Sequence, residues 1–401
     1  MAGRRATGLQ LAQLLAEVEN APPVAAADVV AEHLHVMLGA SAVSFLIADF
    51  SGQALIRLGH EAGRETADRV PLAGSPQGEA LATQHVQVVD EPEGGVRLLA
   101  PVTNRGEAIG VLELRLARDV DERVLDDVAL TAHALAYVII ANRRFTDLFE
   151  WGQRSVPLSV AAEIQHRLLP GAYTCEAGQF TLAAWLEPAG NVGGDTFDFS
   201  LAREALHLSM TDAMGHTVEA AVLATVVVGA LRNARRAGAG LAEQATVADA
   251  ALTAFASGGA FVTGQLVRVD LRSGRARIVN AGHPPPIRMR DGRTEAIALR
   301  ADPPFGTAPG WAYEPQELSL EPGDRLMFVT DGMLERNAAD LELERLIAAG
   351  AHLHTREAVQ HVVHALLELT GGALEDDASV LCLDWHGGPP RDRETVGGAN
   401  A

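Results

Sequence analysis

The chain has 401 residues, of which 48% are hydrophobic and 21% are charged. At roughly 150 residues per domain, this length favours two or three folded units, and the composition excludes wholesale disorder. Lysine and arginine together number 32 against 52 aspartates and glutamates, which gives a net charge of -20. Such an acidic chain is poorly suited to neutralising nucleic acid phosphates, so we expect no nucleic acid partner.

The sequence gives little indication of a membrane segment or of disulfide bonds. No apolar run approaches about 18 residues, residues 220–231 being the longest, and residues 1–7 lack the apolar stretch of a signal peptide. We therefore expect a soluble cytoplasmic protein with no membrane partner. Two cysteines, Cys175 and Cys382, cannot build a disulfide framework or a thiolate metal cage. Any bound metal must then be held by oxygen or imidazole ligands.

The first part of the chain alternates helical and extended patterns. Apolar periodicity predicts a helix over residues 28–38 and a buried strand over residues 42–48. Two further strands, over residues 96–102 and 108–116, flank Asn104-Arg105-Gly106, which is typical of a hairpin turn. With a variable loop region around residues 71–84, the pattern resembles a GAF sensor domain. The resemblance implies a compact α/β sensor domain.

A helical stripe follows this tract. From Asp121 to Phe149 apolar residues recur at spacings of three and four, which places them on one helix face. They are Leu125, Val128, Ala132, Leu135 and Ile139. The stripe either closes the first domain or forms a dimer contact, and one long helix can do both.

The boundaries of the domains follow from the same pattern. Val156-Pro157 interrupts the helix, and a new helix from about Ser159 ends at Pro170-Gly171. We therefore predict a sensor domain over residues 1–120, a helical linker over 121–170 and a second domain over 171–386. The remaining residues, 387–401, are rich in glycine, proline and charge, and are predicted to be a disordered tail.

The second domain combines predicted strands with long helices. The strands are predicted over residues 181–187, 206–211, 261–270, 276–280, 287–290, 325–330 and 379–384. The helices are predicted over residues 218–236, 242–256 and 355–369. Because strands bracket a helix pair, we expect antiparallel sheet layered with helices.

Four aspartates stand where predicted strands run into turns. Asp195 follows two glycines, Asp212 begins Asp-Ala-Met-Gly-His, Asp331 precedes a glycine, and Asp376 precedes Asp377. One such aspartate is ordinary turn chemistry. Four of them together would balance the charge of two hard divalent cations, which take oxygen ligands. Since the cluster would repel itself without metal, the repetition indicates a metal site.

An ordered series of motifs resembles the SpoIIE-like branch of the metal-dependent protein phosphatase 2C superfamily. The similarity covers about residues 164–384. In chain order the motifs are IQHRLLP, GNVGGDTFDF, TDAMGH, AA, FVT, NAGHPPP, PFG, PGDRLMFVTDGMLE and EDDAS. The resemblance implies an α/β/β/α sandwich with the metal centre at one end, so the chain as a whole would be of the α+β class.

The resemblance also implies a role for each carboxylate. Asp212 would bridge two Mg²⁺ or Mn²⁺ ions, and the backbone carbonyl of Ala213 would complete one coordination sphere. Asp331 and Asp376 would hold the second ion, while Asp195 would contact the first ion directly or through water. Paired ions lower the pKa of a water molecule between them, so no protein nucleophile is needed.

Other polar residues have two interpretations each. Asp377 would orient its neighbour or face solvent. His216 either donates a proton to the leaving oxygen or caps and packs the following helix. His283, followed by three prolines, is better suited to fixing a rigid turn, and Arg167 to facing water.

Two positions depart from the family pattern. Thr217 follows Gly215-His216 where many relatives have glycine, and Thr196 follows Asp195 where Asp-Phe-Tyr-Asp is common. Threonine resists backbone torsions that glycine allows, which leaves the start of the following helix and the fit of substrate open. All four carboxylates are present, so we expect activity.

We therefore expect a Mg²⁺- or Mn²⁺-dependent serine/threonine protein phosphatase regulated by its sensor domain, through the helices of residues 218–236 and 242–256. By resemblance, its substrate would be a phosphorylated regulator of the anti-sigma factor antagonist type. The alternatives are a catalytically silent signalling module and a phosphohydrolase of small metabolites. The first 174 residues lack cysteine, which excludes thioether bilin attachment and thiolate haem ligation there. Five histidines of this part remain as candidate ligands, but isolated histidines indicate no particular cofactor: His33, His35, His60, His85 and His133.

Overall fold

The computed structural model describes residues 2–58, 68–92, 94–117, 120–154, 158–188, 193–215, 217–256, 259–334, 336–389, 395 and 399–400. The chain forms two compact units, one of residues 1–157 with 392–401 and one of residues 158–391. The segment predicted as a linker, residues 121–170, is thus divided between the units because its two helices pack into different cores. Val156-Pro157, His60 and most of the predicted tail lie outside the described residues.

The first unit is a six-stranded antiparallel sheet with helices on both faces, in the order β3-β2-β1-β6-β5-β4. Its strands are β1 Ala42–Ala48, β2 Ala54–Arg57, β3 Arg69–Pro71, β4 Gln87–Asp90, β5 Val96–Asn104 and β6 Glu107–Leu116. Its helices are α1 Ala2–Asn20, α2 Ala26–Leu38, α3 Pro76–Thr83, α4 Glu122–Asn142 and α5 Leu148–Gln153. One face packs against α1, α2 and α4, and the other against α3. The predicted helix and strands are confirmed, but the short strands β2, β3 and β4 are too brief to show a period.

The apolar stripe of α4 is buried inside the first unit. Val128, Ala132, Leu135 and Ile139 belong to the core beneath the sheet, so the helix closes this unit, as one of the two interpretations predicts. The helix ends at Asn142 rather than Phe149 and is followed by a 3-10 turn and α5.

The same helix corrects the expectation about apolar runs. Within the described residues, the segment Glu122–Phe145 is the one helix long and apolar enough to cross a membrane by length and composition, and 39% of its most apolar window is buried. Because its stripe packs in the core, the hydropathy of α4 has a structural explanation.

The second unit is a four-layer sandwich of two antiparallel sheets between two helical layers. The sheets run β15-β12-β11-β10-β9 and β14-β13-β16-β17-β8-β7. The strands are β7 Thr174–Glu176, β8 Phe180–Glu187, β9 Asp195–Leu201, β10 Ala205–Ala213, β11 Val262–Asp270, β12 Arg275–Ala281, β13 Ile287–Arg290, β14 Arg293–Ala296, β15 Gln316–Ser319, β16 Arg325–Val329 and β17 Ala378–Trp385. The helices are α6 Val160–Leu168, α7 Val218–Arg236, α8 Leu241–Phe255, α9 Leu343–Ala349 and α10 Thr355–Thr370.

Alternation along the strands builds the layers. In β17, Leu381 and Leu383 face the other sheet, whereas Val380 and Cys382 face the layer of α9 and α10. Helices α7 and α8 cover the outer face of the five-stranded sheet. The predicted α/β/β/α sandwich is confirmed, and so are the seven strands and three long helices predicted for it, with small shifts at their ends.

Candidate metal centre

Two of the four predicted carboxylates lie opposite each other on neighbouring strands. Asp195 is the first residue of β9, and the antiparallel register places it against Asp212, the last residue but one of β10. The sequence did not predict β9, because Gly193-Gly194-Asp195 has the composition of a turn. The pairing of β9 with β10 is what brings these two carboxylates together.

The other two carboxylates come from the second sheet, at the same end of the sandwich. Asp331 follows β16 and Asp376 precedes β17, and these two strands are paired. Both carboxylates act electrostatically on Asp212. The structure therefore brings all four predicted side chains into one cluster, together with Asp377.

Glycines allow the backbone segments of this cluster to approach closely. A Cβ on Gly194 would lie 2.6 Å from the carbonyl oxygen of Ala213, and a Cβ on Gly332 would lie 1.9 Å from the carbonyl oxygen of Asp377. No side chain fits at such distances. The Gly-Asp and Asp-Gly pairs of the motifs thus allow close approach between the ends of neighbouring strands within each sheet, which turn chemistry alone does not explain.

Asp195 is buried, and its carboxylate is oriented by a hydroxyl. Thr330 Oγ1 donates to Asp195 Oδ2 at 2.7 Å and accepts from the Ser379 backbone N–H at 2.9 Å. Burial raises the pKa of Asp195 well above its ordinary value, with further upward contributions from Asp212 and Asp377, while the hydrogen bond from Thr330 acts in the opposite direction. Desolvation and like charges both favour the neutral acid here.

Asp212 is subject to similar burial and repulsion from neighbouring carboxylates. Burial, followed by the charges of Asp331, Asp376 and Asp377, raises its pKa to about 7. Within the part of the chain that the structure describes, neither Asp212 nor Asp195 forms an ion pair with an arginine. A bound cation would relieve this repulsion.

Asp377 is a site residue that the sequence left undecided. Its side chain is buried rather than facing solvent, and it accepts hydrogen bonds from Gln165 Nε2 at 2.8 Å and from the Gly194 N–H at 3.3 Å. Its backbone N–H donates to Asp376 Oδ1 at 3.0 Å. The interpretation as solvent-facing is therefore wrong, and the residue does orient its neighbour. Its burial depends on contacts with Gln165 and Gly194 from distant segments, for which the local sequence carries no signal.

The donors suit a hard divalent cation. They are carboxylates and one backbone carbonyl, which are oxygen ligands of the kind that Mg²⁺ and Mn²⁺ take. Among the described residues, no group of three or more His, Cys, Asp or Glu side chains is already arranged to hold an ion. The kinds of donor in the cluster fit a hard divalent cation.

The two threonine departures are accommodated. Thr217 precedes α7 with φ of -131°, an extended conformation that needs no glycine, and its hydroxyl accepts from the Glu219 N–H at 3.2 Å. Thr196 Oγ1 and Thr211 Oγ1 are hydrogen-bonded at 2.5 Å between the paired strands β9 and β10. Neither residue strains the backbone that carries Asp195 and Asp212.

The remaining candidates fix a turn, face solvent or lie outside the described residues. His216 lies outside the described residues. His283 fixes a turn, since its N–H donates to Asn280 Oδ1 and its ring pairs with Thr263 Oγ1, both at 2.9 Å, and burial lowers its pKa to about 4. Arg167 is exposed and pairs with Glu163 at 3.4 Å. The expectations for His283 and Arg167 are confirmed.

A four-layer sandwich with acidic residues of both sheets clustered at one end is what the resemblance to the metal-dependent protein phosphatase 2C superfamily predicts. Residues 202–386 match the model of the family described as Stage II sporulation protein E (SpoIIE). The match confirms the resemblance that the motifs predict for this part of the chain. Asp195 and α6 precede the matched region.

Known proteins are similar to parts of the chain. Phosphoserine phosphatase RsbU of Bacillus subtilis (strain 168) is 22% identical over 232 residues, which are 56% of this chain and 69% of RsbU. The structure of the RsbU and RsbW domains of Rv1364c from Mycobacterium tuberculosis is 26% identical with a TM-score of 0.47, over 55% of this chain and 63% of that one. The catalytic domain of serine threonine protein phosphatase PstP, in complex with 2 manganese ions, is 17% identical with a TM-score of 0.39, over 51% of this chain and 97% of that one.

Proposed function

We propose that the second unit hydrolyses phosphoserine or phosphothreonine on a regulatory protein, with two Mg²⁺ or Mn²⁺ ions. The observation that carries the proposal is the convergence of five aspartates from two sheets at one end of the sandwich, where burial and mutual repulsion raise the pKa of two of them. A site of this charge is suited to cations and to the phosphoryl groups that cations bind. The similarity to RsbU, which is named a phosphoserine phosphatase, supports this substrate class.

The roles of the ligands are part of the proposal. Asp212 would bridge the two ions, since it faces carboxylates of both sheets. Asp331 and Asp376 would hold one ion, and the Ala213 carbonyl would complete the sphere of the other, with Asp195 contacting it directly or through water. Bound ions would lower the pKa of a water molecule and stabilise negative charge on the phosphoryl oxygens.

The chain's own residues prepare this site. The hydroxyl of Thr330 holds Asp195 in one orientation, because it donates a hydrogen bond to the Asp195 carboxylate while it accepts one from the Ser379 N–H. The Asp377 N–H does the same for Asp376. His216 keeps its two predicted roles, proton donor to the leaving oxygen or helix cap.

The test of the reaction is turnover of p-nitrophenyl phosphate with Mn²⁺ by the wild-type chain, Asp212→Asn and Asp331→Asn. We expect turnover that depends on Mn²⁺ in the wild type and is lost in both variants. Equal rates in all three would favour a catalytically silent signalling module. Faster hydrolysis of free metabolite phosphoesters than of phosphoserine proteins would favour the metabolite phosphohydrolase.

The substrate protein is proposed to be of the anti-sigma factor antagonist type, and the phosphatase to act in the cytoplasm. The first unit, proposed to be a GAF-like sensor, would regulate it through α7 and α8, because α7 begins close after Asp212. Removal of residues 1–151 should then change Mn²⁺-dependent turnover, and an unchanged rate would remove this part of the proposal.

A homodimer through the first unit and its closing helix is also proposed. Although its stripe is buried, α4 and the following turn leave Tyr137, Ile140 and Phe145 exposed. Light scattering of the chain and of Tyr137→Glu would test this contact, with a monomeric variant as the expected result.

A further inference from the structure

Helix α6 carries a buried glutamine that points at the candidate metal centre. Gln165 is only 1% exposed. The helix starts at a cap in which Ser159 Oγ accepts from the Ala162 N–H at 3.1 Å, and it packs against α7 and the beginning of β9. A Cβ on Gly193 would lie 2.8 Å from the carbonyl oxygen of Ala161. The backbone of α6 therefore touches the segment that leads into Asp195.

The side-chain amide of Gln165 joins two elements of the site. Its Nε2 donates to the backbone carbonyl of Asp195 at 2.9 Å and to Asp377 Oδ2 at 2.8 Å. An amide nitrogen has two hydrogens, so both are used. One group thus links the strand that begins with Asp195 to the segment that carries Asp376 and Asp377, across the two sheets.

The helix is anchored firmly enough for this amide to have a fixed position. The carbonyl of Leu168, at the end of α6, accepts from Arg232 Nη2 at 2.5 Å. The same guanidinium binds Asp198 of β9 through two hydrogen bonds of 3.0 and 3.1 Å, and Arg235 adds another at 3.0 Å. A bidentate, charge-assisted contact of this kind restricts geometry strongly. Gln165 is therefore held between α7 and β9.

A purely structural glutamine would form its side-chain hydrogen bonds with groups away from the carboxylate cluster. Gln165 instead gives both hydrogens to groups within the carboxylate cluster, one of which is an ionisable side chain beside a proposed ligand. Groups that orient metal ligands from outside the coordination sphere alter metal affinity when they are replaced.

We propose that Gln165 is a positioning residue of the metal centre, which holds Asp377 and the Asp195 backbone in the arrangement that the ions require. The inference rests on the proposed function, since it needs a centre that binds metal. Gln165 touches neither phosphate nor ion in this role. It acts through Asp377 and β9.

The test measures Mn²⁺ binding to the full chain by isothermal titration calorimetry, alongside the Mn²⁺ dependence of turnover. For Gln165→Leu we expect binding weakened about 10- to 100-fold, with turnover recovering as Mn²⁺ approaches saturation. The matched control is Gln244→Leu. Gln244 is also a buried helical glutamine, 5% exposed, whose Nε2 donates to the Ala239 carbonyl at 2.8 Å, in α8 rather than at the cluster.

The outcomes separate the two proposals. If the wild type binds Mn²⁺ and the Mn²⁺ affinities of Gln165→Leu and Gln244→Leu agree within about twofold, the positioning role alone is overturned. Absence of Mn²⁺ binding in the wild type would overturn the proposed function and this inference with it. If Gln165→Leu does not fold, Gln165→Asn, which is shorter by one methylene, and Asp377→Asn form a double-mutant cycle: coupled losses of affinity support the role, and additive losses overturn it.

Discussion

The two units treat a buried acidic residue in opposite ways. In the first unit, Glu113 of β6 is buried among donors: Arg57 at 3.1 Å, Gln77 at 3.1 Å and Arg97 at 3.8 Å. In the second unit, the buried Asp195 and the half-buried Asp212 lie beside other carboxylates. The ion pairs of Glu113 are part of the structure of the first unit, whereas the repelling carboxylates of the second unit form the site proposed to bind cations.

The second unit also contains acids of the first kind, so the difference is not one of fold. Asp198 is neutralised by Arg232 and Arg235, and Asp384 by Arg325. These pairs lie away from the ends of strands that carry the carboxylate cluster. The cluster of carboxylates that raise the pKa of Asp195 and Asp212 lies instead where the motifs predict metal.

The largest effect is expected for Asp212→Asn. Replacing an outer partner of a metal ligand costs about 10- to 100-fold, so loss of a bridging ligand should reduce Mn²⁺-dependent turnover by more than about 100-fold. The same change removes one of the mutually repelling charges and should raise the melting temperature of the metal-free chain. Steady-state kinetics and thermal unfolding in a chelator measure the two effects. A metal-free variant less stable than the wild type would contradict the repulsion.

The pH dependence of stability gives the second prediction. The pKa of Asp212 rises from 3.8 in the unfolded chain to about 7 in the folded one, so folding takes up a proton between these values. The contribution of Asp212 to the stability of the metal-free chain should then be fully present below about pH 4 and be lost as the pH rises through 7, by an amount on the order of a few kcal/mol. Mn²⁺ should offset this loss, so the shift in melting temperature that it causes should be larger at pH 7.5 than at pH 5.5. An equal shift at both pH values would argue against the raised pKa.

Glu113→Gln should change stability in the opposite direction to Asp212→Asn. It removes the charge that Arg57 and Arg97 share, and hydrogen bonds to charged groups contribute about 1.5 to 3 kcal/mol. We expect the free energy of unfolding of the first unit to fall by about 1 to 3 kcal/mol, with no change in Mn²⁺ affinity. Denaturant unfolding followed by the signal of this unit measures it. A gain in stability would contradict the conclusion that Arg57 and Arg97 stabilise the charge of Glu113.

The sequence predicted the layers and most of the centre because these follow from period and from ordered motifs. The strands of the sandwich core alternate or are continuously apolar, and α7 and α10 keep one stripe over four to five turns. Asp195, Asp212, Asp331 and Asp376 stand in motifs whose order alone indicates a shared site.

What the sequence did not predict depends on contacts between distant segments. β9 has a turn-like beginning, and only its pairing with β10 makes it a strand. The places of Gln165 and Asp377 in the centre depend on a contact between residues 212 positions apart. No local period or turn composition contains that information.

The smallest effect concerns Thr217, one of the two predicted departures from the family pattern. If charge rather than backbone torsion decides the properties of the centre, Thr217→Gly should leave Mn²⁺ affinity unchanged and lower stability by only a few tenths of a kcal/mol. Thr217→Ala should cost about 1 kcal/mol, because the hydroxyl that accepts from the Glu219 N–H is lost while the extended backbone is kept. Thermal unfolding and Mn²⁺ titration of both variants decide the matter. Tighter Mn²⁺ binding by the glycine variant would mean that the threonine restricts the segment after Asp212, and that backbone torsion contributes to the site beside charge.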